Sequence, residues 1–145
     1  MQASATHWKP SWQVLGLSLV LLMALLQAFY AGWAFLDPLG LARFRGTPDI
    51  DAADVAWLHA YGSRTLFIAL VVALLWIKKD TANLKWVALL GLFMPLSDGL
   101  SALRADLPAA YLYRQIGIAL YLLFTFAVLV RASRAAASAG RRRLV

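Results

Sequence analysis

The chain contains no cysteine and no glutamate, and it has only two histidines, His7 and His59. Disulfide bonds, thiol chemistry and cysteine-ligated metals are therefore excluded, and two histidines are too few for a metal-binding histidine cluster. Charge is also scarce, because charged residues make up 14% of the 145 residues, with a net charge of +7. The sequence predicts no metal site and no bound cofactor.

The apolar fraction of the chain is 62%, whereas ordinary soluble domains contain about 45–50% apolar residues. A soluble fold of this length could not bury so much apolar surface, so the composition predicts an integral membrane protein. The basic residues flank apolar runs, a pattern that favours contact with anionic lipid headgroups over nucleic acid. Membrane lipids are therefore the expected partners, with a second copy of the chain or another membrane protein as further candidates.

Four apolar segments have the length of about 20 residues that a membrane-spanning helix requires. Short connections make successive spans antiparallel neighbours. The expected fold is an all-α integral membrane four-helix bundle formed by residues 1–131, followed by a basic cytoplasmic tail over 132–145. The predicted spans cover residues 12–36, 55–77, 84–103 and 109–130.

The longer connection after the first span contains a predicted interfacial helix. Asp37 and Pro38 form a good N-cap and first-turn pair for a helix that continues to Arg45. The segment from Gly46 to Pro48 ends this helix, and Asp51 is placed to cap the second span. We therefore expect a short helix at the membrane surface between the first two spans.

The third span contains a proline in its interior. Pro95 cannot donate a backbone hydrogen bond, so it predicts a kink in that span. Gly91, Gly99 and Gly117 predict close approach between helices, because small residues let helix backbones pack tightly in a membrane.

The orientation follows from the distribution of Lys and Arg. Nine lie at the termini or near the second connection, and five lie in the opposite half of the bundle. Because cytoplasmic segments carry the excess of Lys and Arg, this bias predicts that both termini are cytoplasmic. The high content of Ala, Leu and Arg indicates a bacterial protein, and hence the inner membrane.

A possible internal repeat relates the second and fourth spans. Both contain Tyr-x-x-Arg-x-x-x-Ile-Ala-Leu, beginning at Tyr61 and at Tyr111. Two repeated helical hairpins related by an axis along the membrane normal would account for the match. The alternative is chance, because Ile, Ala and Leu recur in any apolar helix.

Three ionisable residues lie inside the predicted spans at matching depths. Arg64, Asp98 and Arg114 each fall about 7–9 Å below the outer end of their span, given a helical rise of about 1.5 Å per residue. Intramembrane charges usually face the bundle interior and find a partner, so Asp98 is expected to pair with Arg64 or Arg114. The candidate ligand-binding residues are Tyr61, Arg64, Asp98, Tyr111, Arg114 and His59.

Two interpretations of this polar layer remain open. In the first, an Arg–Asp pair is a structural clamp that fixes the packing of the bundle. In the second, the layer is a ligand site open to the outer face, because two arginines meet one aspartate and leave an excess positive charge. A catalytic set is not predicted.

Several short motifs resemble a family of small four-helix membrane proteins of unknown function. They are Ala31-Gly32-Trp33 to Pro38, the segment from Ala42 to Pro48, Gly62-Ser63-Arg64-Thr65-Leu66, and Pro95-x-x-Asp98. The family's second span begins Gly-x-Arg-Asp-Leu, and Thr65 stands where this pattern has its acid. The resemblance implies the fold and transfers no activity.

Three functions are compatible with the sequence. The leading hypothesis is a non-enzymatic protein that binds a lipid-like or anionic amphiphile near the outer face, or that serves as an accessory subunit. The second is a membrane isomerase or cyclase with Asp98 as the general acid or base. The third is a small transporter that acts as a dimer.

Overall fold

The computed structural model describes residues 12–47, 51 and 54–141, with side chains described as far as residue 134. This part of the chain is helical apart from its connections. The segments are α1 (Trp12–Leu36), α2 (Pro38–Phe44), α3 (Val55–Ile77), α4 (Thr81–Gly91), α5 (Phe93–Arg104) and α6 (Ala109–Arg141).

Four stretches are long and apolar enough to cross a membrane: α1, α3, α4 with α5, and α6 as far as Arg134. The expected all-α membrane bundle is confirmed, and the predicted bounds of the first two spans match α1 and α3. The third span begins earlier than predicted, at Thr81. Helix α6, which contains the fourth span, continues to Arg141, past the predicted start of the tail, and residues 142–145 of that tail lie outside the described part of the chain.

Large apolar side chains cover the outside of the bundle, and small ones fill much of its interior. Phe67 is 67% exposed and Leu120 is 61% exposed, whereas Ala34 and Ala88 are fully buried. This distribution is the reverse of that in a soluble protein, where exposed apolar patches of this extent are rare. The outer surface is therefore suited to lipid, and the chain is a multi-pass membrane protein.

Helices α1 and α3 pack closely because small residues meet at their interface. A Cβ atom added to Gly62 would lie 2.9 Å from the Ala34 Cβ and 3.4 Å from the Ala31 carbonyl oxygen. Near the C-terminal end of α3, the Trp76 indole Nε1 donates to the Leu17 carbonyl at 2.9 Å. Gly117, by contrast, faces open space, so the prediction of close packing at that glycine was wrong.

The third span is broken at Leu92, between α4 and α5. Pro95 has no N–H to donate to the Gly91 carbonyl, so the regular hydrogen-bond ladder cannot continue through this turn. The Leu92 N–H instead bonds to the Leu89 carbonyl at 3.2 Å. The interruption occurs where Pro95 predicts it.

Helix α2 forms as the connection predicts. The Asp37 carboxylate accepts a hydrogen bond from the Gly40 N–H at 2.9 Å, and Pro38 occupies the first turn. Arg45 is the C-cap residue, and Gly46 follows with a φ of +83°, a left-handed conformation that glycine adopts without strain. We call the end of the bundle that carries α2 and residues 105–108 the α2 end.

The break in the third span separates α5 from α3. Helix α3 packs against α1 and α4, while α5 packs against α6 and makes no close backbone contact with α3. The third span is therefore apart from α3 at the α2 end, where α5 lies, and contacts α3 only through α4, which follows the connection over residues 78–80. This opening holds the polar residues described next.

Candidate functional site

A cavity of about 370 Å³ occupies the opening between α3 and α5. It is reached by four of the residues that the sequence singled out: Tyr61, Arg64, Asp98 and Arg114. Arg64, Asp98 and Arg114, which the sequence placed at matching depths in antiparallel helices, thus line the same cavity. The other lining residues are Gln27, Tyr30, Phe44, Arg45, Thr65, Ile68, Phe93, Met94, Pro95, Ser97, Gln115 and Ile118.

The partner of Asp98 differs from the prediction. The Arg45 Nη2 donates to the Asp98 Oδ2 at 2.9 Å, in an ion pair that links the end of α2 to α5. The expected pairing with Arg64 or Arg114 was therefore wrong. Helical side chains tilt toward the N-terminus of their helix, so both of those arginines turn toward the α2 end rather than across to α5.

Arg45 is held from two sides. Its guanidinium lies 4.4 Å from the centre of the Tyr61 ring, in a cation–π contact, and its side chain is only 23% exposed. Burial by itself would lower the pKa of Arg45, but Tyr61, Tyr111 and Asp98 outweigh it and raise that pKa above its ordinary value. Arg45 is thus a fixed positive charge at the mouth of the cavity.

Arg114 reaches from α6 to α2. Its Nη1 donates to the Phe44 carbonyl at 3.2 Å, and its guanidinium lies 4.6 Å from the Phe44 ring and 4.5 Å from the Tyr111 ring. The Phe44 carbonyl is one of the last in α2, where a cation also complements the helix dipole. Arg114 therefore fastens α2 to α6 while it lines the cavity.

Arg64 has a looser environment. Its guanidinium lies 5.8 Å from the Trp57 ring, two turns toward the α2 end on the same helix. It is exposed and makes no hydrogen bond or ion pair with the described residues. Of the arginines around the cavity, Arg64 is the one most available to an incoming anion.

A second cavity, of about 580 Å³, lies on the α2-end side of the ion pair. Arg45, Tyr61 and Asp98 line both cavities, so these three side chains form a partition between them. The second cavity is otherwise lined by Thr47, Asp54, Trp57, Leu58, Ser101, Ala102, Ala105, Leu107 and Tyr111.

Two of the candidate residues lie outside the first cavity. Tyr111 lines the second cavity and stacks with Arg114. His59 stacks on Phe35, with ring centres 5.5 Å apart, and lines neither of the two cavities. The structure therefore brings together Tyr61, Arg64, Asp98 and Arg114, and it leaves His59 against α1.

The charge around the first cavity is unbalanced. Arg45, Arg64 and Arg114 face a single carboxylate, that of Asp98, which is already paired. Within the described residues no group of three His, Cys, Asp or Glu side chains could hold a metal ion. The arrangement thus offers cationic hydrogen-bond donors of the kind that bind anions in proteins.

The family described as "Domain of unknown function (DUF4267)" matches residues 24–137. The chain belongs to the DUF4267 family. The resemblance expected from the sequence motifs is therefore confirmed. No curated protein and no solved structure matches the chain. Every residue that lines the two cavities falls within the DUF4267 match, so both cavities belong to the family domain.

Sequence reasoning missed Arg45 as a residue of this DUF4267 cavity. Arg45 lies in the connection, and its contact with Asp98 depends on how α2 packs, which helical periodicity does not reveal. Two signals were present nonetheless. Arg45 is part of the segment from Ala42 to Pro48 that carries the family resemblance. In addition, Arg43 and Arg45 place two positive charges close together there, and such charges require a partner when they are buried.

Proposed function

We propose that this DUF4267 protein binds an anionic amphiphile in the cavity between α3 and α5, near the outer face of the bacterial inner membrane. Both termini are cytoplasmic in this proposal, which places the α2 end outside. The observation that carries it is the set of three guanidinium groups around one paired carboxylate, beside an apolar cavity wall. An intramembrane cation of this kind is stable only with an anion, water or a polar partner.

The state of Asp98 supports binding rather than catalysis. A general acid or base must be free to exchange a proton with its substrate. The Asp98 carboxylate instead accepts a direct bond from Arg45. We therefore assign Asp98 the role of orienting Arg45, and we assign contact with the ligand to Arg64 and Arg114.

The experiment is mass spectrometry of lipids and metabolites retained by the gently purified protein. We expect an anionic amphiphile that is retained by the wild type and is reduced at least about tenfold by Arg64→Gln with Arg114→Gln, since each removes a charge-assisted hydrogen bond. Arg104→Gln is the matched control, because Arg104 lies at the same end of the bundle and lines neither cavity. Equal retention by all variants would refute the proposal.

The orientation is tested separately with a reporter that is active only in the periplasm. Fused after Val145 it should be silent, and fused near Asp49 with the first span intact it should be active, since the Lys and Arg bias keeps both termini inside. The opposite pattern would place the cavity at the cytoplasmic face.

A further inference from the structure

The two matching sequence segments in α3 and α6 converge on the first cavity. Each contains an arginine, a neutral polar residue directly after it, and an isoleucine four positions after the arginine. All three positions line the cavity in both helices. The corresponding pairs are Arg64 with Arg114, Thr65 with Gln115, and Ile68 with Ile118.

The arginine pair marks the end of the cavity nearest α2. The Arg64 guanidinium extends toward Trp57, and that of Arg114 extends to the Phe44 carbonyl. Because both side chains tilt toward the N-termini of their helices, their charged groups lie about one turn nearer the α2 end than the backbone positions that carry them.

The neutral pair lies deeper and has no hydrogen-bond partner among the described residues. Thr65 is 4% exposed and Gln115 is 6% exposed, and neither side chain makes a hydrogen bond within the described part of the chain. Their polar atoms are not sealed off from the cavity, and facing an apolar ligand without a partner would cost free energy. Both line the cavity, so a polar group inside it can satisfy them.

The isoleucine pair belongs to the apolar end. Ile68 and Ile118 line the cavity together with Phe93 and Met94, on the side away from α2. Helices α3 and α5 make no close backbone contact, and we infer that an aliphatic chain leaves the cavity between them toward lipid. The volume of about 370 Å³ lies at the small end of ligand pockets and suits one chain.

From this layering we propose that the ligand is a single-chain amphiphile with an anionic head and a neutral ester, hydroxyl or carbonyl group about one helical turn below it. The arginine pair binds the head, Thr65 and Gln115 bind the neutral group, and the chain passes the isoleucine pair. This inference rests on the proposed anion site and adds the requirement for the second polar group.

Two probes distinguish binding of the anionic head from binding of the neutral polar group. Oleoyl lysophosphatidate has a phosphate head with an ester and a hydroxyl below it, and oleyl phosphate has the same head and chain length without them. Equilibrium binding of both radiolabelled probes is measured with the full chain in maltoside micelles. We expect the wild type to bind lysophosphatidate about tenfold more tightly, as two further hydrogen bonds would give.

The variants Thr65→Val and Gln115→Leu should each reduce this preference, measured as the ratio of the two affinities, about threefold. Thr125→Val is the control, because Thr125 is fully buried but does not line the cavity. Equal wild-type affinity for both probes would overturn this inference while the anion site stands, and that comparison requires no variant. Failure of the wild type to bind either probe would overturn the proposed function as well.

Discussion

Arg45 and Asp98 lie 53 positions apart in the sequence, and their side chains meet at 2.9 Å in an ion pair. Arg45 follows α2, which packs on α1 and α3, and Asp98 belongs to α5, which packs on α6. Because α3 and α5 make no close backbone contact, the ion pair is a side-chain link across the opening between them. The pair therefore ties α2 to α5.

A double-mutant cycle measures this link. Arg45→Gln and Asp98→Asn should each lower the free energy of unfolding in mixed micelles, and the double variant should lose less than the sum. We expect a coupling free energy of about 1 kcal/mol, because the Asp98 side chain is 41% exposed and solvent screens the pair. The comparison cycle pairs Asp98→Asn with Arg64→Gln. Stronger coupling to Arg64 than to Arg45 would contradict the geometry.

Close packing between α1 and α3 gives a second prediction. Gly62→Ala places a Cβ 2.9 Å from the Ala34 Cβ, which is fixed to its backbone, so the helices must separate. Overpacking of this kind costs about 1–3 kcal/mol. Gly117→Ala is the matched control, since nothing lies within 4 Å of the added methyl group. Unfolding in mixed micelles should show a loss for the first variant and none for the second, and equal stability of the two would contradict tight packing at Gly62.

The cavity around Asp98 and the glycine contact between α1 and α3 show what the sequence could and could not predict. Arg64, Asp98 and Arg114 reach one cavity because a fixed helical rise and short connections determine their depth. Depth does not determine the direction of a side chain or the position of α2, so the partner of Asp98 was misassigned. Likewise, glycine is recognisable in a sequence, but the face it turns to a neighbour is not, and Gly117 was predicted where Gly62 does the packing.

The connection between α3 and α4 gives a prediction for pH. Hydrogen bonds from the Asn83 N–H and then from its side-chain amide lower the pKa of Asp80, the N-cap of α4. A lowered folded pKa means that this stabilisation is present above the unfolded pKa of about 3.9 and is lost as pH falls through the folded value. Thermal unfolding in micelles should therefore show a larger loss between about pH 5 and pH 3 for the wild type than for Asp80→Asn.

Asp80→Asn is a fair comparison, because asparagine also caps helices but carries no charge to titrate. Identical pH profiles for the two proteins would show that the Asp80 charge does not contribute to stability in the folded state.

The partition between the two cavities gives the last prediction. Ser97 lines the first cavity and Ser101, one turn nearer the α2 end on α5, lines the second. The chain has no cysteine, so Ser97→Cys and Ser101→Cys each introduce a single thiol of nearly unchanged size. A membrane-impermeant thiol reagent that enters from the α2 end meets the second cavity first. Ser101→Cys should therefore react at least about tenfold faster, as a barrier of about 1.4 kcal/mol would give.

Removing the partition should lower the ratio of the Ser101→Cys labelling rate to the Ser97→Cys labelling rate. Arg45→Gln breaks the ion pair and withdraws the charge stacked on Tyr61, so labelling of Ser97→Cys should accelerate while that of Ser101→Cys stays nearly constant. Arg43→Gln controls for the loss of one positive charge, because Arg43 lies on α2 and lines neither cavity. Loss of a nearby positive charge by itself lowers the thiolate fraction and slows labelling, so it cannot produce the expected acceleration. Equal acceleration by both arginine variants would show that the effect does not depend on the ion pair. Acceleration confined to Arg45→Gln would identify the Arg45–Asp98 pair as the barrier between the second cavity and the first.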